Sequence, residues 1–264
     1  MIDTRKNIIS TKNLCIGYHQ KKQPKIVFSG INVNIEKNTL TTILGKNGIG
    51  KSTLLRSISK SQKIIDGEII FNQKNINNYT EKELSKQLSL VLTERLPESQ
   101  LTVFELVALG RQPYTNWIDK LSENDIEKIN FAIEQTEISH LKNNRFYELS
   151  DGQLQRVLIA RALAQDTAVI VLDEPTAHLD MHHTIKIFSL LKKLVTNNNK
   201  TILISTHEVN LAIKLSDEII VFTDHTIYNG TPEELIQKKA FDNLFPKELI
   251  NFNTTLQQFV INKN

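Results

Sequence analysis

One segment of eight residues has the residue types and the spacing of a phosphate-binding loop. It reads Gly45-Lys46-Asn47-Gly48-Ile49-Gly50-Lys51-Ser52. Glycines let main-chain N–H groups close around an anion, and a helix that begins here adds the partial positive charge of its N-terminus. Lys51 would then reach the β- and γ-phosphates, and the Ser52 hydroxyl would bind Mg²⁺. We predict that this segment, together with Thr53, binds a nucleotide; a glycine turn before an ordinary helix is the alternative.

A pair of carboxylates could supply the rest of the chemistry. Asp173 and Glu174 directly follow the apolar run Ala168–Leu172, which is typical of a buried strand. Since open α/β sheets bind ligands at the carboxyl ends of their strands, we expect both acids beside the phosphate loop, pointing to different sides. Phosphoryl transfer needs Mg²⁺ and a group that positions the attacking water. We assign Asp173 to Mg²⁺ and Glu174 to the water as general base; an acidic surface loop is the alternative.

Short strands alternating with helices are predicted to position these residues. The strands are apolar, rich in Ile and Val, and too short for typical helices, as in a parallel sheet buried on both faces. This pattern predicts strands at 41–44, 168–172, 201–204 and 218–222, with helices at 154–164, 182–195 and 208–215. Alternation of this kind favours a parallel sheet with helices packed on it.

Two further regions interrupt or extend this pattern. Further β structure is predicted at 8–18, 26–35 and 68–71, near the N-terminus. A helical insert is predicted at about 95–145. Hydroxyl residues stand three positions before a carboxylate, the arrangement of a capping box, and so predict three helix starts, at Thr80, Thr102 and Ser122.

Composition excludes several classes of protein. The chain has 264 residues, is 40% hydrophobic and 23% charged, and has a net charge of +3 from 32 basic and 29 acidic residues. This balance gives no reason to expect nucleic acid as a partner. The single cysteine, Cys15, excludes an internal disulfide and is typical of a reducing compartment. We expect no signal peptide in residues 1–25 and no membrane span, because the apolar runs are too short.

Further motifs go beyond a phosphate loop and occur in a fixed order. They are Leu149-Ser150-Asp151-Gly152-Gln153, Asp173-Glu174-Pro175-Thr176, Leu179-Asp180 and Ser205-Thr206-His207. Together they closely resemble the ATPase subunits of ATP-binding-cassette (ABC) transporters, from about Ile9 to Gly230. The resemblance implies an α/β fold, a P-loop NTPase of ABC type, with a mainly parallel core sheet, an N-terminal antiparallel β region and a helical insert.

The resemblance also implies roles for single residues. Tyr18 resembles the aromatic residue that stacks on adenine. His207 resembles the switch histidine, which contacts the γ-phosphate and the attacking water and so acts in catalysis with Lys51 and Glu174. The signature residues, which resemble those that bind the ATP of an opposing subunit, are Ser150, Gly152 and Gln153. Asp180 would lie between the two subunits.

Two positions depart from the family pattern. Asp151 stands where a second glycine is common, and a carboxylate there should repel triphosphate unless it points outward. Glu94 stands where the family has a glutamine. An oxygen of Glu94 could still bind Mg²⁺, since hard cations take either group. We expect Glu94 to serve as the coupling residue.

The segment Thr102–Arg111, followed by Pro113 and Tyr114, resembles the subfamily that serves importers of iron-siderophores, haem and vitamin B12. In that family the helical insert receives the coupling helices of the permease. An amphipathic helix that only buries its apolar face is the alternative.

These observations predict one domain, 1–264, with a core at about 1–94 and 146–230 and a tail at 231–264. The tail should begin with a helix, since Thr231 precedes Pro232, and should contain a short hairpin beyond Phe245. By resemblance, two copies would pair head to tail around two ATP molecules and act on a membrane permease. They would act indirectly on a substrate-binding protein, at the cytoplasmic face of the inner membrane.

Other functions stay open. A manganese or zinc importer is the nearest competitor within transport. A soluble cassette ATPase of translation or iron–sulfur assembly is the second alternative. A chromosome-associated ATPase would need a long coiled coil between its motifs, and the interval 60–145 is too short and lacks sustained heptads.

Overall fold

The computed structural model describes residues 6–21, 23–92, 99–115, 120–242, 244–245, 250–253 and 255–261. The chain divides into two compact units, of which the first contains residues 1–78 and 201–264 and the second contains residues 79–200. The second unit is larger than the insert predicted at 95–145. It also contains the strands Leu88–Val91 and Val169–Asp173 and the helices Glu81–Ser85, Asp151–Ala164 and Met181–Asn198. That 1–264 forms one domain stays a prediction.

The predicted strands and helices occur in the predicted order, together with strands Lys74–Asn75, Leu88–Val91 and Ile227–Gly230, which the sequence does not predict. The strands are β1 Asn7–Tyr18, β2 Lys25–Ile31, β3 Asn34–Glu36, β4 Leu40–Leu44, β5 Asp66–Phe71, β6 Lys74–Asn75, β7 Leu88–Val91, β8 Val169–Asp173, β9 Thr201–Ser205, β10 Glu218–Phe222, β11 Ile227–Gly230, β12 Ile250–Asn253 and β13 Gln258–Ile261. The helices are α1 Lys51–Ile58, α2 Glu81–Ser85, α3 Val103–Ala108, α4 Glu123–Gln135, α5 Asp151–Ala164, α6 Met181–Asn198, α7 Val209–Leu215 and α8 Pro232–Gln237.

The first unit contains the predicted antiparallel β region. Strand β1 pairs with β2, β3 and β5, and β6 pairs with β5, all antiparallel. The β structure predicted at 26–35 is confirmed, and it is divided into β2 and β3. The Thr11 side chain occupies the break: its hydroxyl donates to the Ile31 carbonyl at 2.9 Å and accepts from the Val33 N–H at 3.0 Å.

The first unit also contains parallel strands that carry the phosphate loop. Strands β10, β4 and β9 run parallel side by side, and β11 pairs antiparallel with β10. Every residue of β4 and β9 is buried, as expected for parallel strands that are covered on both faces. Because β4 and β9 are parallel, the loops that follow Leu44 and Ser205 leave the sheet at the same edge.

The tail of the first unit folds as predicted. Thr231 caps α8, Pro232 is its first residue, and β12 and β13 form an antiparallel hairpin. Side chains of this tail share a buried apolar cluster with α7 and β10, which contains Leu44, Val209, Ala212, Ile213, Ile219, Val221, Leu235, Ala240, Phe241 and Leu244.

The second unit combines a parallel strand pair with packed helices. Strands β7 and β8 are parallel, and α5 packs against α3 and α4. Gly110 packs closely against α5, and no side chain would fit there, because a Cβ would lie 2.2 Å from the Arg161 carbonyl oxygen. The helix starts predicted at Thr80, Thr102 and Ser122 are confirmed, each as a complete capping box.

A buried ion pair crosses the helical part of this unit. Arg111 and Asp125 are 3% and 5% exposed, and the Arg111 Nε lies 2.8 Å from the Asp125 Oδ1. The Arg111 guanidinium also donates to the Ala164 carbonyl at 2.8 Å and lies over the Tyr114 ring, 4.0 Å from its centroid. Arg111 therefore connects the residues after α3 to the start of α4 and the end of α5.

Within the described ranges, no helix has both the length and the apolar character that crossing a membrane requires.

Candidate nucleotide-binding site

The phosphate loop connects β4 to α1 through backbone that favours glycine. Gly48 and Gly50 have φ angles of 75° and 120°, which L side chains rarely adopt. Gly50 precedes α1 and supplies no side-chain cap, whereas Thr80 and Thr102 cap α2 and α3 with their hydroxyls. The first N–H groups of α1 therefore face a loop made of main chain, which is the arrangement that binds phosphate.

Lys51 points back into this loop. Its side chain is buried, at 4% exposed, and its amino group donates to the carbonyls of Gly45 at 3.0 Å and Lys46 at 3.3 Å. The same amino group lies 3.4 Å from the His207 Nε2. Since an ammonium group only donates, Nε2 is the acceptor in this contact. The structure thus brings together two of the three residues that were predicted to be catalytic.

His207 stands in a tight turn between β9 and α7. The Thr206 N–H donates to the Ile43 carbonyl at 3.2 Å, which fixes the turn to the end of β4. The Glu208 N–H donates to the Thr206 hydroxyl at 3.1 Å, and the Val209 N–H donates to the His207 carbonyl at 2.9 Å. The position of His207 therefore depends on both the sheet and the first turn of α7.

Tyr18 ends β1 and is placed near the first turn of α1. Its hydroxyl lies 3.4 Å from the Thr53 hydroxyl, while 47% of the residue is exposed. A ring fixed at one end and open to solvent fits the predicted role in stacking on a base. That role stays a prediction.

A cavity of about 240 Å³ opens beside the phosphate loop. It is lined by Gly45, Lys46, Asn47, Thr206, His207, Val209, Leu244 and Phe245. The loop and the His207 turn thus share one cavity with two residues of the C-terminal tail, which the sequence did not connect with the site.

The acidic pair belongs to the second unit. Asp173 is the last residue of β8 and is 3% exposed. Glu174 follows the strand with a φ angle of 46°, in the left-handed region that few non-glycine residues adopt. The strand alternation that we used to separate the two side chains therefore ends at Asp173, and that part of the argument is wrong. That both acids lie beside the phosphate loop stays a prediction.

The signature residues begin α5. The Ser150 hydroxyl accepts from the Gln153 N–H at 3.3 Å, and the Ser150 N–H donates to the Gln153 side-chain oxygen at 2.9 Å. Both residues therefore also have a structural role as a capping box. Asp151 is exposed in the first turn, where a carboxylate interacts favourably with the helix dipole.

Gly152 and Asp180 both lie next to His183. A Cβ on Gly152 would lie 2.5 Å from the His183 Cδ2. The His183 N–H donates to Asp180 Oδ1 at 2.8 Å, which caps α6, and the His183 Nδ1 lies 2.9 Å from the same carboxylate. The hydrogen bonds from the backbone and the side chain of His183 lower the pKa of Asp180. His183 thus joins the starts of α5 and α6, a role that spacing along the chain did not indicate.

Of the three residues predicted to bind Mg²⁺, the structure describes Ser52 and Asp173. Glu94 lies outside the described residues. Ser52 and Asp173 supply hydroxyl and carboxylate oxygens, which are the donors that Mg²⁺ prefers. In the ranges that the structure describes, no three His, Cys, Asp or Glu side chains group together to hold a metal.

Comparison with known sequences identifies the family. Residues 28–177, more than half of the chain, match the ABC transporter family. The chain is 36% identical over 241 residues to the petrobactin import ATP-binding protein FpuD of Bacillus anthracis, covering 91% of this chain and 87% of that protein. It is 34% identical over 240 residues to the iron(3+)-hydroxamate import ATP-binding protein FhuC of Bacillus subtilis, covering 90% and 88%.

Solved structures agree with this assignment. A metal-chelate type ABC transporter in an inward-facing conformation matches with a TM-score of 0.78 and 25% identity, covering 96% of this chain and 95% of that chain. A dimeric ATP-binding cassette in a post-hydrolysis state with ADP and Pi matches with a TM-score of 0.73 and 29% identity, covering 85% and 98%. This chain therefore belongs to the ABC transporter family, among its ATP-binding subunits.

Proposed function

We propose that this chain hydrolyses ATP to power the uptake of an iron chelate through a separate membrane permease. The observation that carries the proposal is the Lys51 amino group, which is buried and directed into the glycine loop by the Gly45 and Lys46 carbonyls, within 3.4 Å of His207. A buried ammonium group in a glycine loop at the start of a helix is a site for a polyanion.

Each part of the nucleotide has a proposed partner among the residues of this chain. The loop N–H groups and the start of α1 would bind the β-phosphate region, and Lys51 would exchange its carbonyl contacts for phosphate oxygens. Tyr18 would stack on the base, an interaction worth about 1–3 kcal/mol for bases on aromatic rings. Ser52 and Asp173 would hold Mg²⁺, directly or through water, and the bound ion would neutralise charge on the β- and γ-phosphates.

Hydrolysis needs a group that positions and deprotonates the attacking water. Glu174 is proposed for this role, because a carboxylate accepts a proton and can orient water. The His207 ring faces the loop, because its Nε2 lies 3.4 Å from the Lys51 amino group. Once Lys51 has turned to phosphate oxygens, His207 would donate to the γ-phosphate in the tautomer that carries its proton on Nε2. The reaction breaks the bond between the γ-phosphorus and its bridging oxygen, and the water oxygen becomes part of the released phosphate.

A second copy of the chain would complete the site. Ser150, Gly152 and Gln153 begin α5, and a helix start favours phosphate. The dimeric cassette with ADP and Pi supports the proposal that two copies enclose nucleotide between them. A hydrolysis cycle that opens and closes such a dimer would move a permease at the cytoplasmic face of the membrane, and a substrate-binding protein would deliver cargo to that permease.

The class of cargo is proposed from the relatives. Petrobactin and iron(3+)-hydroxamate appear in the names of two import proteins, and a matching structure is of the metal-chelate type. The metal-chelate type of that structure supports a chelated metal as cargo over bare manganese or zinc, and the iron(3+)-hydroxamate name supports iron as that metal.

The test is the Glu174→Gln variant of the purified chain. We expect it to bind Mg·ATP with an affinity within about twofold of the wild type, to lose at least about 100-fold in turnover, and to accumulate as a dimer when ATP is present. Exposed Glu81→Gln in the same unit is the matched control and should hydrolyse ATP normally. Unchanged turnover in Glu174→Gln would remove Glu174 as the base, and a wild type that binds no Mg·ATP would overturn the whole proposal.

A further inference from the structure

The C-terminal hairpin is attached to the helix that follows His207. The Phe259 N–H of β13 donates to the Asn210 side-chain oxygen at 2.8 Å, and the Asn210 side-chain amide donates to the Phe259 carbonyl at 3.4 Å. One asparagine thus binds both main-chain groups of one strand residue, as a neighbouring strand would. These contacts join positions 49 residues apart in the sequence.

Aromatic side chains secure the hairpin around this contact. The Phe259 ring lies 4.9 Å from the Phe245 ring and 5.2 Å from the Phe252 ring, in both cases edge to face. Phe252 stacks on Phe241 with centroids 5.5 Å apart. Such pairs add to the stability of a buried cluster beyond the area that they bury. The hairpin therefore offers Asn210 a fixed partner.

The same tail reaches the cavity beside the phosphate loop. Leu244 and Phe245 line this cavity together with Gly45, Lys46, Asn47 and His207. Phe245 thus packs on the hairpin on one side and lines the wall of the cavity that contains His207 on the other. Tail, hairpin and switch residue form one connected set of contacts within the first unit.

His207 is joined to the start of α7 by a few residues, so a movement of α7 would also move His207. Asn210 is the second residue of α7, three positions after His207. The bond from Val209 to the His207 carbonyl and the bond from Glu208 to Thr206 leave little freedom between them. A side chain that fixes the first turn of α7 therefore also limits the position of the His207 backbone, from which the ring reaches the phosphate loop.

We propose that Asn210 is a positioning residue for ATP hydrolysis, through which the C-terminal hairpin holds His207 at the phosphate loop. This inference rests on the proposed function, because it assumes that His207 acts on the γ-phosphate. It gives the tail, 231–264, a part in the reaction that the sequence motifs do not assign to it.

The test is steady-state hydrolysis by the full-length Asn210→Ala variant. We expect kcat to fall by roughly three- to tenfold, the range expected from loss of two neutral hydrogen bonds, with KM for ATP within about twofold of the wild type. Lys214→Ala, an exposed change on the same helix, is the control and should keep the wild-type kcat. Asn210→Asp keeps an acceptor for the Phe259 N–H and should be faster than Asn210→Ala.

A double-mutant cycle separates positioning from general loss of structure. If Asn210 acts through His207, adding Asn210→Ala to His207→Ala should leave the residual turnover unchanged. A wild-type kcat in Asn210→Ala, or equal losses in the presence and absence of His207, would overturn the inference. Either result leaves the proposed function intact as long as Glu174→Gln is inactive and the wild type hydrolyses ATP.

Discussion

Lys51 illustrates how a single charged side chain is prepared for a ligand before the ligand arrives. Its amino group is buried and is held by two loop carbonyls, which are neutral and weaker acceptors than phosphate. A triphosphate would therefore replace these contacts with stronger ones, with little rearrangement of the side chain. Because the Lys51 side chain is already ordered, less conformational entropy is lost when a ligand binds.

We expect Lys51→Met to weaken Mg·ATP binding by about 10- to 100-fold, because hydrogen bonds to a charged group contribute about 1.5–3 kcal/mol. Methionine has a similar length and an apolar character, so the buried position can accept it. Titration with a fluorescent ATP analogue measures the affinity. Exposed Lys63→Ala is the control; equal affinity in Lys51→Met and the wild type would contradict the assignment of Lys51.

The residues that sequence alone could identify are those whose partners are close along the chain. The strand, glycine loop and helix around residues 45–52 and the capping boxes at Thr80, Thr102 and Ser122 depend on spacings of a few residues, and all of these elements are found where predicted. That the loop residues bind the phosphates stays a prediction. Asn210 and His183 could not be recognised in this way. Their partners come from a distant hairpin and a neighbouring helix, and no local pattern records such contacts.

At the scale of elements, Arg111 and Asp125 show that a residue within the motif typical of the importer subfamily also stabilises the fold. Burial acts to raise the pKa of Asp125, but hydrogen bonds from Ser122 and the Arg111 guanidinium outweigh it and lower that pKa below 3.8. The pair therefore connects α3, α4 and α5 without leaving an unpaired buried charge.

Arg111→Ala should lower the free energy of unfolding by about 3–5 kcal/mol, because it leaves Asp125 buried without its cation. Lys193→Ala is the control, since its contact with Glu137 is 3.7 Å long and exposed, and its effect should stay within about 0.5 kcal/mol. Urea denaturation at pH 7 measures both. Similar midpoints for the two variants would show that the buried pair contributes little.

The same pair predicts a dependence on acid. Since the folded-state pKa of Asp125 is lowered, its contribution to stability is complete above the unfolded value of 3.8 and is lost as pH falls through the folded value. The difference in unfolding free energy between the wild type and Asp125→Asn should therefore shrink as pH falls below about 4. A difference that stays constant from pH 6 to pH 3 would argue against this charge effect.

The sequence predicts the order of the strands and helices well, but it predicts the boundaries of the larger units poorly. Short buried strands and polar turns predicted β4, β8, β9 and β10. The break between β2 and β3 could not be predicted, because it depends on the Thr11 hydroxyl, which comes from another strand. The extent of the second unit likewise depends on long-range packing.

At the scale of the whole molecule, one carboxylate makes stability depend on pH near neutrality. Burial, followed by the charge of Glu36, raises the pKa of Glu218 from 4.5 to about 7. Among the described residues, its Oε2 is buried with no hydrogen-bond partner. Because the folded state binds this proton more tightly than the unfolded state, the free energy of unfolding falls as pH rises from 4.5 to about 7.

Glu218→Gln should therefore stabilise the protein at pH 8 and have little effect at pH 5. The side chain is only half-buried, so solvent screens part of the effect, and we expect about 1 kcal/mol, or roughly 2–4 °C in Tm. Differential scanning at both pH values measures it, with exposed Glu68→Gln as the control. A gain of equal size at pH 5 would show that something other than charge is responsible.

The contact between Gly152 and His183 links two segments at positions 31 residues apart in the sequence. Since an added methyl group at 152 would overlap the imidazole ring, the two positions are matched in size. In a library randomised at both sites, functional clones should carry alanine at 152 only when the side chain at 183 is smaller than histidine. Evolutionary drift at either site would then require compensation at the other.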